Sequence, residues 1–127
     1  ELKIQKKFFN QCTKHKYLLN DLLKKLKSQG KRIFGYGAST KGNVILQYCK
    51  FNQSNFKFIA DVNKDKRNKF TPGSHIKIID EKEIKKIKPD YMVVLPWHFK
   101  NFIIQKEKKF LNEGGKLIFP LPDIEII

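Results

Sequence analysis

The sequence predicts an α/β fold of the doubly wound kind: a mainly parallel five-stranded sheet, preceded by a long N-terminal helix. Three observations predict it. Short apolar runs alternate with stretches of helical periodicity along residues 31–127. One of those runs, "DYMVVLP", is continuously apolar, as a strand covered on both faces must be. The first run ends in "GYGAST", a glycine turn suited to join a strand to the amino terminus of a helix.

In order, residues 2–29 carry Ile4, Phe8, Cys12, Leu19, Leu22, Leu23 and Leu26 at three-to-four spacing between lysines, which predicts one buried helical stripe. Gly30 ends it. Unbroken, this helix is about 40 Å long at ~1.5 Å per residue, so residues 1–30 are expected to form a leading helix packed on the domain of residues 31–127. "KRIFGYG" is the first strand, and Thr40 to Tyr48 has helical spacing. "FKFIADVN" is the second strand, and "KDKRNKFTPGS", closing in Pro-Gly, is a loop. "HIKII" alternates as a strand, and "DEKEIKKIK" is a short helix with acids in its first turn and lysines in its last. After "DYMVVLP", the stretch "WHFKNFIIQKEKKFLNEGG" reads as one helix with Phe99, Phe102, Ile103 and Phe110 on one face. "KLIFPLP" completes the sheet.

A chain of 127 residues with 40% hydrophobic and 31% charged residues is expected to fold as a globular domain with a core, not as a disordered tail. No apolar run approaches the ~20 residues of a transmembrane helix, and no secretory leader pattern is visible, so no membrane partner and a cytoplasmic setting are expected. Cys12 and Cys49 are expected as free thiols. Basic residues exceed acidic ones by 27 to 12, yet only Arg32 and Arg67 are arginines and the lysines are spread over every helix. Nucleic acid is therefore disfavoured as a partner, although a diffuse positive field suits capture of a small polyanion.

Ligands of an open parallel sheet sit outside the carboxyl ends of the strands. The segments following the first, second and fourth strands, "GYGASTKGN", "DVNKDK" and "PWHF", are expected to meet there. In the first, Gly35 and Gly37 allow a tight turn and close approach, Ser39 and Thr40 supply donors, and Lys41 supplies charge, a set that suits a phosphate or diphosphate. Neither sharper motif applies: lysine precedes Gly42 instead of following a glycine, and Thr40 stands where a dinucleotide fingerprint has its third glycine. The plain alternative is a ligand-free glycine turn.

Asp61 follows Gly37 by about 24 residues, near the offset at which an acid meets a ribose hydroxyl, and equally reads as a turn residue. Trp97 and His98 could stack on a base or move a proton, or could pack and cap. His75 needs no role beyond structure. Cys12 and His15 share a helical face without a second ligand pair, so no metal site is expected, and no glycine-framed serine nucleophile occurs.

Taken together, "GYGASTKGN", "ADVNKDKRNKFTPGSHIKI", "PDYMVVLPWHF" and "EGGKLIFPLPDIEII" resemble the C-terminal domain of sugar-nucleotide C-methyltransferases, from about Gly30 to Ile127. The resemblance implies a Rossmann-like domain that helps hold an NDP-keto-deoxysugar for methyl transfer from S-adenosylmethionine. In that family the methyl donor and a zinc ion are bound by upstream domains. The resemblance also implies that Gly35, Tyr36, Gly37, Ser39, Thr40, Lys41 and Asn43 form the substrate-facing loop, with Asp61, Asn63, Thr71, His75, Trp97 and His98 lining or bracing the crevice.

The family's Tyr-x-Glu-His and His-Gly-Gly segments, its zinc cysteines and its cofactor-binding glycine motif are not in this sequence. The chain is therefore expected to hold no catalytic residue, to bind no cofactor or metal alone, to need the N-terminal methyltransferase domain as partner, and to be inactive by itself. The competing expectations are a nicotinamide-dinucleotide-binding Rossmann fragment and a basic, non-catalytic binding domain.

Overall fold

The alternation of apolar runs and periodic stretches becomes a sheet flanked by helices on both faces. The computed structural model describes the backbone of residues 2–127 and the side chains of residues 13–39, 42–63 and 65–127. The chain runs α1 (Leu2–Ser28), β1 (Ile33–Tyr36), α2 (Thr40–Tyr48), β2 (Phe58–Asp61), β3 (Lys77–Asp80), α3 (Glu81–Ile87) and β4 (Tyr91–Val94). It continues with α4 (Lys100–Lys106), α5 (Lys108–Asn112), β5 (Lys116–Phe119) and β6 (Glu125–Ile126). Among the described residues, six strands form one sheet in the order β3-β2-β1-β4-β5-β6. The first five are parallel, and β6 returns antiparallel to β5, pairing Ile118 with Ile126.

Strand alternation divides the core into two layers. Ile33, Ile59, Ile78, Val93 and Ile118 face one side, where they meet Leu19, Leu23 and Leu26 of α1 and Ile45 and Leu46 of α2. Phe34, Tyr36, Ala60, Met92, Val94 and Phe119 face the other, against Ile84 of α3 and Ile103 of α4. The five parallel strands are thus buried on both faces, which explains the unbroken apolar run of β4. On α1, Leu19, Leu23 and Leu26 are the buried stripe, and the His15 ring N–H donates to the Pro120 carbonyl. The side chains of Ile4, Phe8 and Cys12 lie outside the described residues.

Three features depart from the expected layout. The sheet has a sixth strand, because residues 125–127 fold back on β5 with paired bonds between Leu117 and Ile127 of 3.1 and 2.9 Å. A two-residue strand leaves no readable alternation. The loop after β2 contains a 3-10 turn at Lys64–Lys66, and its continuation lies along the outer edge of β3. There Asn68 donates to Ile78 (2.8 Å) and Ile78 donates to Lys69 (2.8 Å), so the edge strand's exposed amide is covered.

Finally, the helix expected over residues 97–115 is three pieces: a 3-10 turn at Trp97–Phe99, then α4 and α5, which meet at Glu107. Phe99 and Phe102 do not share the buried face of Ile103: they are 56% and 69% exposed.

Candidate functional site

The strand order reverses between β1 and β4, and the three segments singled out by sequence leave the sheet at or beside that reversal. Gly37 follows β1 with φ +82, a left-handed conformation that favours glycine, and a Cβ there would stand 2.6 Å from Pro96 Cδ at the end of β4. Its N–H donates to Ala60 O (2.7 Å), tying the turn to β2. Gly35 lies within β1 instead of the turn. A side chain on it would meet Ile59 Cγ1 at 2.8 Å, so its smallness serves strand packing.

Ser39 caps α2, its hydroxyl oxygen accepting the Gly42 N–H at 3.0 Å. Gly42 is the residue that sequence reading passed over: a Cβ on it would sit 2.5 Å from Leu95 Cβ. Close approach of helix to strand, the role of the third fingerprint glycine, is thus filled two positions later than the motif places it. Thr40 and Lys41 are the first two residues of α2; their side chains lie outside the described residues. Half-buried Asn43 follows, its Oδ1 buried without a hydrogen-bond partner among the described residues.

Asp61 organises two loops at once. One carboxylate oxygen accepts Ala38 N–H (2.8 Å) and the other accepts Asn63 N–H (2.7 Å), the turn-residue alternative of the two that sequence left open. Asn63 continues the pattern, its Oδ1 accepting Asp65 N–H at 3.0 Å. Lys66 donates to Ala38 O (2.6 Å) and stands 3.9 Å from Asp61, so both polar groups of Ala38 are held by the end of β2 and the loop after it. The charge-rich "DVNKDK" hinted at Lys66, but its target across 28 residues is a tertiary fact.

After β4, Trp97 is partly buried and packs against both core layers, while His98 is exposed with its ring 4.2 Å from that of Phe99. Trp97 thus joins the two core layers at the rim of the sheet.

Beside the Gly37 turn, on the α3 and α4 side of the sheet, lies a cleft of about 170 Å³ bounded by Tyr36, Asp61, Val62, Pro96, Phe102 and Lys106. Beneath it is a buried polar network that sequence did not reveal. The Tyr36 hydroxyl donates to Glu107 Oε2 (2.9 Å), and Glu107 is 1% exposed. Lys85 pairs with Glu107 (3.0 Å) and Glu81 (2.8 Å), and Lys106 pairs with Glu81 (3.3 Å).

Burial, reinforced by the Glu107 carboxylate, pushes the Tyr36 phenol well above its ordinary range, so it stays a neutral donor. Burial opposes the charge on Glu81, but its bonds to Lys85 and neighbouring charges outweigh that and hold it below the usual carboxylate range. Burial likewise opposes the charge on Lys85, and its two carboxylate partners reverse the sign and raise it. The inward carboxylate of Glu107 coincides with the α4–α5 break. A visible signal existed: Glu107 stands four residues after Ile103, on the buried stripe.

Two expected site residues stand elsewhere. Thr71 and His75 precede β3, whose first residue pairs with the first residue of β2, so they lie toward the amino end of the parallel sheet and away from the rim. Thr71 is buried, accepts Ile76 N–H (3.0 Å) and bonds the Ser74 hydroxyl. His75 is exposed with φ +54, and its carbonyl accepts Gln53 Nε2 at 2.8 Å. Both close the turn before β3.

Cys49 is a free, buried thiol raised to about 11 by burial, with Lys16 partly offsetting the rise. No group of three or more His, Cys, Asp or Glu residues that could hold a metal occurs among the described residues. Nor is any described helix long and apolar enough to cross a membrane.

The arrangement is a glycine turn at the amino end of α2, a carboxylate brace and a largely apolar cleft. Comparison with known proteins agrees with its sequence signature. The model of the C-methyltransferase C-terminal domain matches residues 1–122, so α1 lies inside the matched region. C-methyltransferase NovU of Streptomyces niveus is 35% identical over 109 residues, covering 86% of this chain and 26% of that protein. The chain thus spans about a quarter of the length of this relative. With a match across nearly its whole length and this level of identity, the chain belongs to the C-methyltransferase C-terminal domain family.

Proposed function

We propose that this chain is the substrate-holding, Rossmann-like doubly wound domain of a sugar-nucleotide C-methyltransferase. It grips the diphosphate of an NDP-keto-deoxysugar while the remainder of the enzyme carries out the chemistry. S-adenosylmethionine, bound by that remainder, supplies the methyl group. Zinc belongs in this reading to the same remainder.

The observation that carries the reading is the convergence of the Gly37 turn, the Ser39-capped start of α2 and the Asp61–Lys66 brace at the carboxyl rim where strand order reverses. Backbone N–H groups at such a turn suit an anion, and Lys41, second residue of α2, adds charge to the same turn of the helix. Fixing the phosphates far from the reacting carbon limits the motions of the sugar, which lowers the barrier by positioning.

Titration of the chain with uridine diphosphate and, separately, with a nicotinamide dinucleotide tests this. Preferential binding of the diphosphate is expected, and preference for the dinucleotide would reject the reading. In the complete enzyme, Lys41→Ala is expected to raise the substrate KM.

A further inference from the structure

We propose that the cleft beside Gly37, on the α3 and α4 side of the sheet, seats the single-ring base of the nucleotide; this rests on the function proposed above. Its position follows from the turn: Gly37 and Pro96 form the edge shared by the α2 side, where the diphosphate lies, and by the cleft. A nucleotide crossing that edge presents its base to the α4 side.

Size and chemistry select the occupant. The cleft holds about 170 Å³. Pockets that enclose a whole drug-sized ligand hold roughly 300–1,000 Å³. This one accommodates one ring of a larger molecule. Val62 (65% exposed), Phe99 and Phe102 converge on it. A flat heterocycle lies well against such aromatic walls.

Glu81 and Lys106 also line the cleft, with Lys106 Nζ 3.3 Å from Glu81 Oε2. The partly exposed Lys106 ammonium keeps further N–H donors beyond its bond to Glu81, and a carbonyl on the edge of a uracil-type ring can accept one. Lys106 also lies 5.6 Å from the Tyr36 ring centroid, and Glu81 is held by Lys85, so the pair is fixed in place before any ligand arrives.

The test is calorimetric titration of the 127-residue chain with uridine diphosphate, adenosine diphosphate and inorganic pyrophosphate, repeated with Phe102→Ser and with Phe99→Ser. Both side chains are mostly exposed, and urea midpoints verify that the variants fold. Uridine diphosphate is expected to bind more tightly than either other probe. Phe102→Ser is expected to weaken it about tenfold and to leave pyrophosphate unchanged.

Equal affinity for adenosine diphosphate overturns the single-ring assignment. Parallel losses for pyrophosphate and uridine diphosphate overturn the base seat, as does a variant that alters only self-association. Undiminished uridine diphosphate binding by both variants overturns the base seat alone and leaves the diphosphate reading standing. Failure of the unaltered chain to bind uridine diphosphate overturns both.

Discussion

Gly42 and Leu95 approach so closely that a β-carbon on Gly42 would stand 2.5 Å from Leu95 Cβ and 3.0 Å from Ser39 Oγ. The contact joins the first turn of α2 to the end of β4 and sets where the glycine loop stands. Gly42→Ala therefore forces strand and helix apart and is expected to cost ~1–3 kcal/mol, read as a lower urea midpoint. An unchanged midpoint would show that the rim yields freely.

Glu107 is the acceptor for Tyr36 and the deepest partner of Lys85. Glu107→Ala leaves the phenol without its bond and Lys85 with one carboxylate fewer, at an expected cost of ~2–3 kcal/mol. Glu107→Gln keeps a carbonyl for Tyr36 and should lose clearly less. If the two variants unfold alike, the Tyr36 bond contributes nothing measurable.

The network also sets a pH dependence. Because Glu81 titrates below its ordinary range when folded, its contribution is present above the unfolded pKa of ~4.3 and is lost as pH falls through the folded value. Lys85 is raised, so its contribution holds below ~10.4 and is lost as pH rises through the folded value. Glu81→Gln should lower the urea midpoint at pH 7, and the gap from the unaltered chain should narrow toward pH 3. A gap independent of pH would remove ionisation as the cause.

Asp61 ties Ala38 to Asn63 through its two carboxylate oxygens. Asp61→Ala should speed amide hydrogen exchange at both positions and lower stability by ~1–2 kcal/mol. If only one amide responds, the carboxylate does not act as a common brace.

Thr71→Val removes the acceptor of Ile76 N–H and the partner of Ser74 in a buried turn. A loss of ~1–2 kcal/mol with unchanged uridine diphosphate affinity is expected, because the turn lies toward the other end of the sheet. Weakened nucleotide binding in a folded variant would return Thr71 to the site.

Most elements were readable because their causes are local. The β4 run, the Asp80 cap of α3 with lysines in its last turn, and the end of α1 near Gly30 each follow from a few neighbouring residues. The site was legible as three segments but not as a residue set. Thr71 and His75 carry the same residue chemistry as true rim residues, and only the register of β3 on β2 assigns their end of the sheet. Phe99 and Phe102 match the periodicity of Ile103, yet the 3-10 turn at Trp97–Phe99 and the course of α4 leave them exposed at the cleft.

By itself the amino-acid sequence determined that strands and helices alternate, that both sheet faces are covered and that polar segments gather at one rim, since periodicity and turn chemistry act over a few residues. Tertiary structure alone decided that Gly42 packs on Leu95, that Glu107 turns inward to Tyr36 and Lys85, and that Lys66 reaches Ala38. Those contacts join groups far apart along the chain, and their partners are chosen by the close filling of space and the need to satisfy buried polar atoms.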